Sequence, residues 1–224
     1  MFENIVQFIL MIIPLVFAVT VHEFAHGYTA YLFGDPTAKD AGRLTLNPIK
    51  HMDPIGSFAL PIILKITGAP LFGYAKPVPV NFFRLKNFKI GTICVTLAGP
   101  LSNIFLLIIS GILFRTLHGF FSINGSLREI FILLVSSCII NSVLAVFNMI
   151  PIPPLDGSKL ILALLPQKYR LKYANFERFG FILIIFLIIY GALDSLISFF
   201  LSPLIKFAMG SDGFYEVFVT GQLF

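Results

Sequence analysis

The stretch IVQFILMIIPLVFAVTVHEFAHGYTAYLF, residues 5–33, decides how the chain is read. It is apolar for nearly its whole length, and at 1.5 Å per residue it is long enough as a helix to cross a hydrocarbon core of about 30 Å. Its second half holds His22-Glu23-Phe24-Ala25-His26, an H-E-x-x-H pattern. On a helix, residues four apart share a face with Cβ atoms about 5–6 Å apart, so both imidazoles can reach one zinc ion at about 2.0–2.1 Å. Glu23 then lies about 100° around the helix from His22 and about 60° from His26. That places a carboxylate beside the metal, where a general base for water should sit. An ionisable side chain at the centre of a membrane helix costs about 2.5–3.5 kcal/mol on insertion scales. Hydrogen bonding of His22 and His26 to neighbouring helices, with Glu23 protonated or paired, is the plainer explanation. The metal-ligand spacing favours a site instead.

The rest of the composition places this segment in a polytopic membrane protein. The 224 residues are 57% hydrophobic and 12% charged, with no tryptophan and 26 phenylalanines, and the mean hydropathy is +0.92. These values lie outside the range of soluble domains, and no separate soluble domain is visible. The chain therefore reads as an all-α polytopic helical bundle, with one integral membrane domain over 1–210 and a tail over 211–224 of unassigned role. The net charge of +5 sits in short loops, where it reports orientation, so nucleic-acid binding is a poor reading. Cys94 and Cys138 fall in apolar stretches and make neither a disulfide framework nor a zinc cluster. The first apolar run has neither the basic leader nor the small-residue cleavage site of a signal peptide, and is expected to remain in the mature protein.

The first helix should stop at Gly34-Asp35-Pro36. Arg43-Leu44-Thr45-Leu46 alternates, and suggests either a short β-hairpin able to pair with an extended substrate or an ordinary surface loop. Residues 55–74 are apolar but interrupted by Pro61, Lys65, Gly68 and Pro70, as expected of a re-entrant segment that lines a wet cavity. Further spans are expected at about 90–117, 127–150 and 179–200. Two loops are rich in Lys and Arg: one carries Lys76, Arg84, Lys86 and Lys89, the other Lys159, Lys168, Arg170, Lys172 and Arg178. The positive-inside rule makes both cytoplasmic. Parity then puts the motif toward the cytoplasmic face, provided that 55–74 dips and returns. The aromatic stretch past Pro203 carries no readable role.

A catalytic zinc site needs a third protein ligand and an open position. His51, His118, Asp156 and Asp194 are the candidates. Asp156 is favoured because it lies in Asn148-Met149-Ile150-Pro151-Ile152-Pro153-Pro154-Leu155-Asp156-Gly157, where prolines end a span on the motif's side of the membrane. Its alternative role is an N-cap for the helix that starts near Ser158.

Together these segments resemble the site-2 protease family of zinc-dependent intramembrane metalloproteases, in particular its compact prokaryotic members without a PDZ domain. The resemblance rests on His22, Glu23 and His26, on Gly99-Pro100-Leu101-Ser102-Asn103, and on Asn148 through Gly157. His51-Met52-Asp53-Pro54-Ile55-Gly56 and Ala75-Lys76-Pro77-Val78-Pro79-Val80-Asn81 support it. It covers the chain from about His22 to Pro166. The resemblance implies a three-helix catalytic core in which His22, His26 and Asp156 hold one Zn2+ per chain. It also implies that Glu23 activates water, and that a transmembrane protein or peptide substrate must unwind locally to be cut. In similar proteins the asparagine after Gly-Pro lies near the active site. Asn103 and Asn148 are therefore candidates for binding the substrate backbone or an oxyanion, or equally for bonding helix to helix. His51 is a candidate for shaping the cavity.

The expected setting is a multi-pass protein of a prokaryotic cell membrane, in contact with lipid, with its oligomeric state undetermined. The competing function is a metal-ion transporter or channel using the same His and Asp residues. That reading predicts polar positions repeated along several spans, which the sequence lacks. A non-catalytic scaffold would be expected to have lost Glu23.

Overall fold

The computed structural model describes residues 2–53, 56, 59, 63, 75–121, 127–174 and 177–218. Among these the chain is helical and contains no strand. Its elements in order are α1 (Phe2–Leu32), α2 (Thr37–Asp40), α3 (Phe88–Phe121), α4 (Arg128–Asn148), α5 (Gly157–Leu164), α6 (Gln167–Ala174), α7 (Glu177–Ile189) and α8 (Ala192–Phe218). Short 3-10 turns occupy Pro48–His51 and Phe82–Arg84.

Among the described residues, three helical stretches are long and apolar enough to cross a bilayer: Ile9–Leu32, Phe88–His118 and Arg128–Asn148. Only 28% of the most apolar window of the first is buried within the protein, and Leu15, Phe17 and Leu32 on α1 and Phe105 and Ile112 on α3 are exposed. In water so much apolar surface would drive association, and lipid is its natural cover. The protein is an all-α membrane protein.

Three expectations from the sequence need correction or lie elsewhere. The alternating Arg43–Leu46 stretch is a loop, not a hairpin. Arg43 turns inward and its Nη2 donates to the Lys76 carbonyl at 2.7 Å, so the alternation reflects one buried side chain rather than a pleat. The expected final span over 179–200 is two helices. Gly191 adopts φ +67° and closes α7 by donating its N–H to the Ile188 carbonyl. The apolar helix Phe179–Ile189 is left about 16 Å long, half a bilayer. Beyond Pro203, helix α8 continues to Phe218, broken at Gly210 with φ +83°. The re-entrant reading of 55–74 falls almost wholly outside the described residues.

The chain divides into two compact units. The first comprises Met1–Ala18, Pro100–Asn148 and Leu193–Phe224. Its core joins Leu107 and Phe114 of α3, Leu134, Val135 and Cys138 of α4, and Ile205, Ala208, Met209 and Val217 of α8. Gly111 permits the close approach of α8, since a Cβ there would lie 2.9 Å from that of Ala208. This is the small-residue packing expected where lipid removes the hydrophobic drive between helices.

The second unit comprises Val19–Gly99 and Met149–Ala192 and contains the H-E-x-x-H motif. Helix α1 ends as the sequence suggests. Gly34 takes φ +99°, its N–H bonds to Tyr31 O, and the Asp35 N–H reaches back to Ala30 O at 2.9 Å, which makes a Schellman cap. Ala30, Leu85 and Val95 form the local core, with Phe33, Val80 and Phe82 packed on it.

Candidate metal centre

The helical spacing of His22 and His26 puts both rings on one face of α1, with centroids 4.6 Å apart. Asp156 is brought to them from 130 residues downstream. It occupies the residue before α5, in helical conformation, but its side chain makes no capping bond. The carboxylate instead points at the imidazoles. Asp156 Oδ2 lies 3.0 Å from His22 Nε2 and 3.0 Å from His26 Nε2, and the two Nε2 atoms are 3.0 Å apart. Gly157 permits this turn: a Cβ there would lie 2.5 Å from the Met149 carbonyl carbon and overlap its oxygen.

The protonation of this triangle follows from its surroundings. The Val95 carbonyl can only accept, so His26 Nδ1, 2.7 Å away, donates to it and Nε2 faces inward. An outer contact of this kind is what orients an imidazole that is to hold a metal. Burial works to raise the Asp156 carboxyl, but the His26 and His22 imidazoles outweigh it and hold the group below the usual carboxylate range. Asp156 is the anionic member of the trio.

Lone pairs facing one another at 3.0 Å repel unless protons or a cation lie between them. A single proton on His26 Nε2 can point along only one of its two contacts, whereas a divalent cation satisfies all three atoms. Tetrahedral zinc at about 2.0–2.1 Å spaces its ligands about 3.3–3.4 Å apart. A triangle with 3.0 Å sides needs to open by only about 0.3–0.4 Å to match. Two imidazoles and one carboxylate with a fourth position left over suit catalytic zinc. Among the described residues this is the one group of three or more His, Cys, Asp or Glu side chains whose ligand atoms converge.

Glu23 sits beside the triangle. Its Oε2 accepts the Val78 N–H at 2.7 Å, from an extended segment that crosses α1 next to Gly27, where a Cβ would meet Val78 Cγ1 at 2.9 Å. On the opposite wall is Gly99 of α3. A Cβ there would lie 2.6 Å from Cε1 of both His22 and His26 and overlap His26 Nε2. The sequence showed Gly99 only as part of a Gly-Pro pair. Its role as the floor beneath the two rings becomes visible with α1 and α3 side by side. The Val95 carbonyl has no signature in a sequence at all.

The other candidates have different partners. His51 is buried in its loop, where Nε2 donates to Thr45 O at 2.8 Å. His118 packs its ring against Phe114. Asn103, fully buried, donates to Asn141 Oδ1 at 3.0 Å and to Ala18 O at 3.4 Å. Asn148 donates to Leu144 O one turn back along α4.

Comparison with known proteins agrees with this chemistry. The chain is 38% identical over 213 residues, 93% of its length and 90% of the relative's, to the Bacillus subtilis (strain 168) protein named "Putative zinc metalloprotease YwhC". It is 29% identical over 188 residues to "Putative zinc metalloprotease Rip2" of Mycolicibacterium smegmatis, covering 84% of this chain and 69% of that one. The Rip2 of Mycobacterium tuberculosis (strain H37Rv) is 29% identical over 187 residues, 80% of this chain and 67% of the relative. No family model matches the chain, and no solved structure does.

Proposed function

Because this chain belongs to the site-2 protease family of zinc metalloproteases, we propose that it is an endopeptidase that cuts transmembrane substrates within the bilayer. The observation that carries the reading is the triangle of His22, His26 and Asp156 beside the Glu23 carboxylate, with both imidazoles on a helix apolar enough to span a membrane. Bound zinc would supply Lewis acidity, polarising a peptide carbonyl and lowering the pKa of water toward about 7.

The chain's own residues supply the rest. His22 and His26 hold the ion through Nε2, and the His26 ring is kept in register by its Nδ1–H bond to Val95. Asp156 contributes the anionic ligand. Glu23 takes the proton from the attacking water and delivers it to the leaving amine nitrogen. The apolar outer faces of α1 and α3 keep bulk water away. The charge pattern of the loops supports a site toward the cytoplasmic face of a multi-pass protein, and the bacterial relatives support a prokaryotic membrane. One zinc per chain, a transmembrane protein or peptide as substrate, and surrounding lipid complete the reading.

The test compares wild type, Glu23→Gln and Asp156→Asn for zinc content and for cleavage of a model transmembrane peptide in bilayers. Glu23→Gln is expected to keep its zinc and lose cleavage, and Asp156→Asn to lose both. Normal cleavage by Glu23→Gln would overturn the mechanism, and wild-type zinc and activity in Asp156→Asn would remove Asp156 from the ligand set.

A further inference from the structure

The segment Lys76-Pro77-Val78-Pro79-Val80-Asn81 is tied down along its whole length. At its start, the Lys76 N–H bonds to His51 O at 3.0 Å, and Arg43 Nη2 donates to Lys76 O at 2.7 Å. In its middle the Val78 N–H bonds to Glu23 Oε2 at 2.7 Å. At its end the Asn81 N–H bonds to Asp35 Oδ2 at 2.6 Å. Asp35 is fully buried, and its other oxygen accepts from the Thr37 N–H at 3.1 Å and from the Thr37 hydroxyl. A carboxylate withdrawn completely from water is tolerated only when its lone pairs are engaged in this way.

The prolines make the two ends matter to the middle. Pro77 and Pro79 fix φ near −65° and bring no N–H, so the segment is a stiff extended strap of about 3.1 Å per residue. It cannot absorb a shift at either end by local rearrangement. The Val78 N–H is thus located by Arg43 on one side and Asp35 on the other.

We propose that Asp35 and Arg43 are positioning residues which, by pinning the Lys76–Asn81 strap, hold the Val78 N–H where it orients the Glu23 carboxylate toward the site. This rests on the reading of Glu23 as the general base. The hydrogen bonds of Asp35 go to Thr37 and Asn81 and that of Arg43 to Lys76, so both act through the strap. Asp35→Asn keeps the shape but replaces one acceptor oxygen with an N–H2 group, which cannot accept from both Thr37 and Asn81. Arg43→Met removes the donor to Lys76 and keeps the stem, whereas Arg43→Lys restores a donor.

The experiment measures two things on the full-length protein in micelles: amide hydrogen exchange of the peptide covering 75–81, and kcat and KM per zinc-loaded chain on a model transmembrane peptide. In Arg43→Met and Asp35→Asn, exchange across 75–81 should quicken by about tenfold or more, with exchange in α1 unchanged. In the same variants kcat per zinc should fall by about tenfold or more, with KM within about twofold. Arg43→Lys should recover both. Unchanged exchange, or faster exchange with wild-type kcat per zinc, overturns the proposal. If Asp35→Asn does not fold, the Arg43 pair decides alone. A wild type that cuts nothing would overturn the proteolytic reading, and the strap's catalytic role with it. The exchange measurement would still decide separately whether Arg43 and Asp35 pin the strap.

Discussion

Substituting Gly99 by alanine sets two effects of opposite sign against each other. Gly99 lies within helix α3, and exchanging glycine for alanine in a helix interior ordinarily stabilises by about 0.8–1.0 kcal/mol. Here the new methyl would stand 2.6 Å from Cε1 of both His22 and His26, about 0.8 Å inside ordinary van der Waals contact. The His26 ring cannot swing aside without breaking its Nδ1 bond to Val95, so the rings or the helices must separate. Ligand distances in a working metal site are held within about 0.2 Å, and the displacement is about four times that. A loss of at least about 100-fold in zinc affinity, about 2.8 kcal/mol, is therefore expected. Competition with a fluorescent zinc chelator in micelles would measure it, with helix content followed by circular dichroism. Wild-type zinc affinity, or a rise in thermal stability with no loss of zinc, would refute the packing of the rings against α3.

Other substitutions probe the remaining parts of the site. Glu23→Gln should lower kcat by about 10²–10⁴, the usual contribution of a general base, with zinc affinity near wild type in the same chelator assay. Gly157→Ala places a methyl against the Met149 carbonyl, and should cost about 1–3 kcal/mol as an overpacked position. Because it displaces Asp156, zinc retention should fall together with the unfolding midpoint. The Asn103 and Asn141 amides bond to each other. A double-mutant cycle to alanine, read as unfolding free energy, should give a coupling of about 0.6 kcal/mol, the average for hydrogen bonds between membrane helices.

What could be read from the sequence, and what could not, divides along physical lines. The shared face of His22 and His26 was legible because the spacing of side chains four apart is a property of one helix. The meeting of Asp156 with the two imidazoles was legible less directly, through the prolines that end a span just before it. The stop at Gly34 was legible because a Schellman cap is local. The break at Gly191 was missed, since an apolar run of 22 residues looks the same whether one left-handed glycine interrupts it or not. The loop at Arg43–Leu46 mimicked a strand because its alternation comes from a single guanidinium turned inward to a distant carbonyl. The groups that tune the site, namely the Val95 carbonyl, the Val78 amide and the missing Cβ of Gly99, are backbone features that residue identity scarcely marks.

The distance along the chain between the two halves of the metal centre bears on how the protein is made. A growing polypeptide gains His22, Glu23 and His26 first, and Asp156 only after 130 further residues have been synthesised. Until then the first span holds two members of an incomplete trio. A centre that needs all three side chains is incomplete for as long as Asp156 has not been made. The order of synthesis itself delays completion of the trio until α1, α3 and α4 have been made.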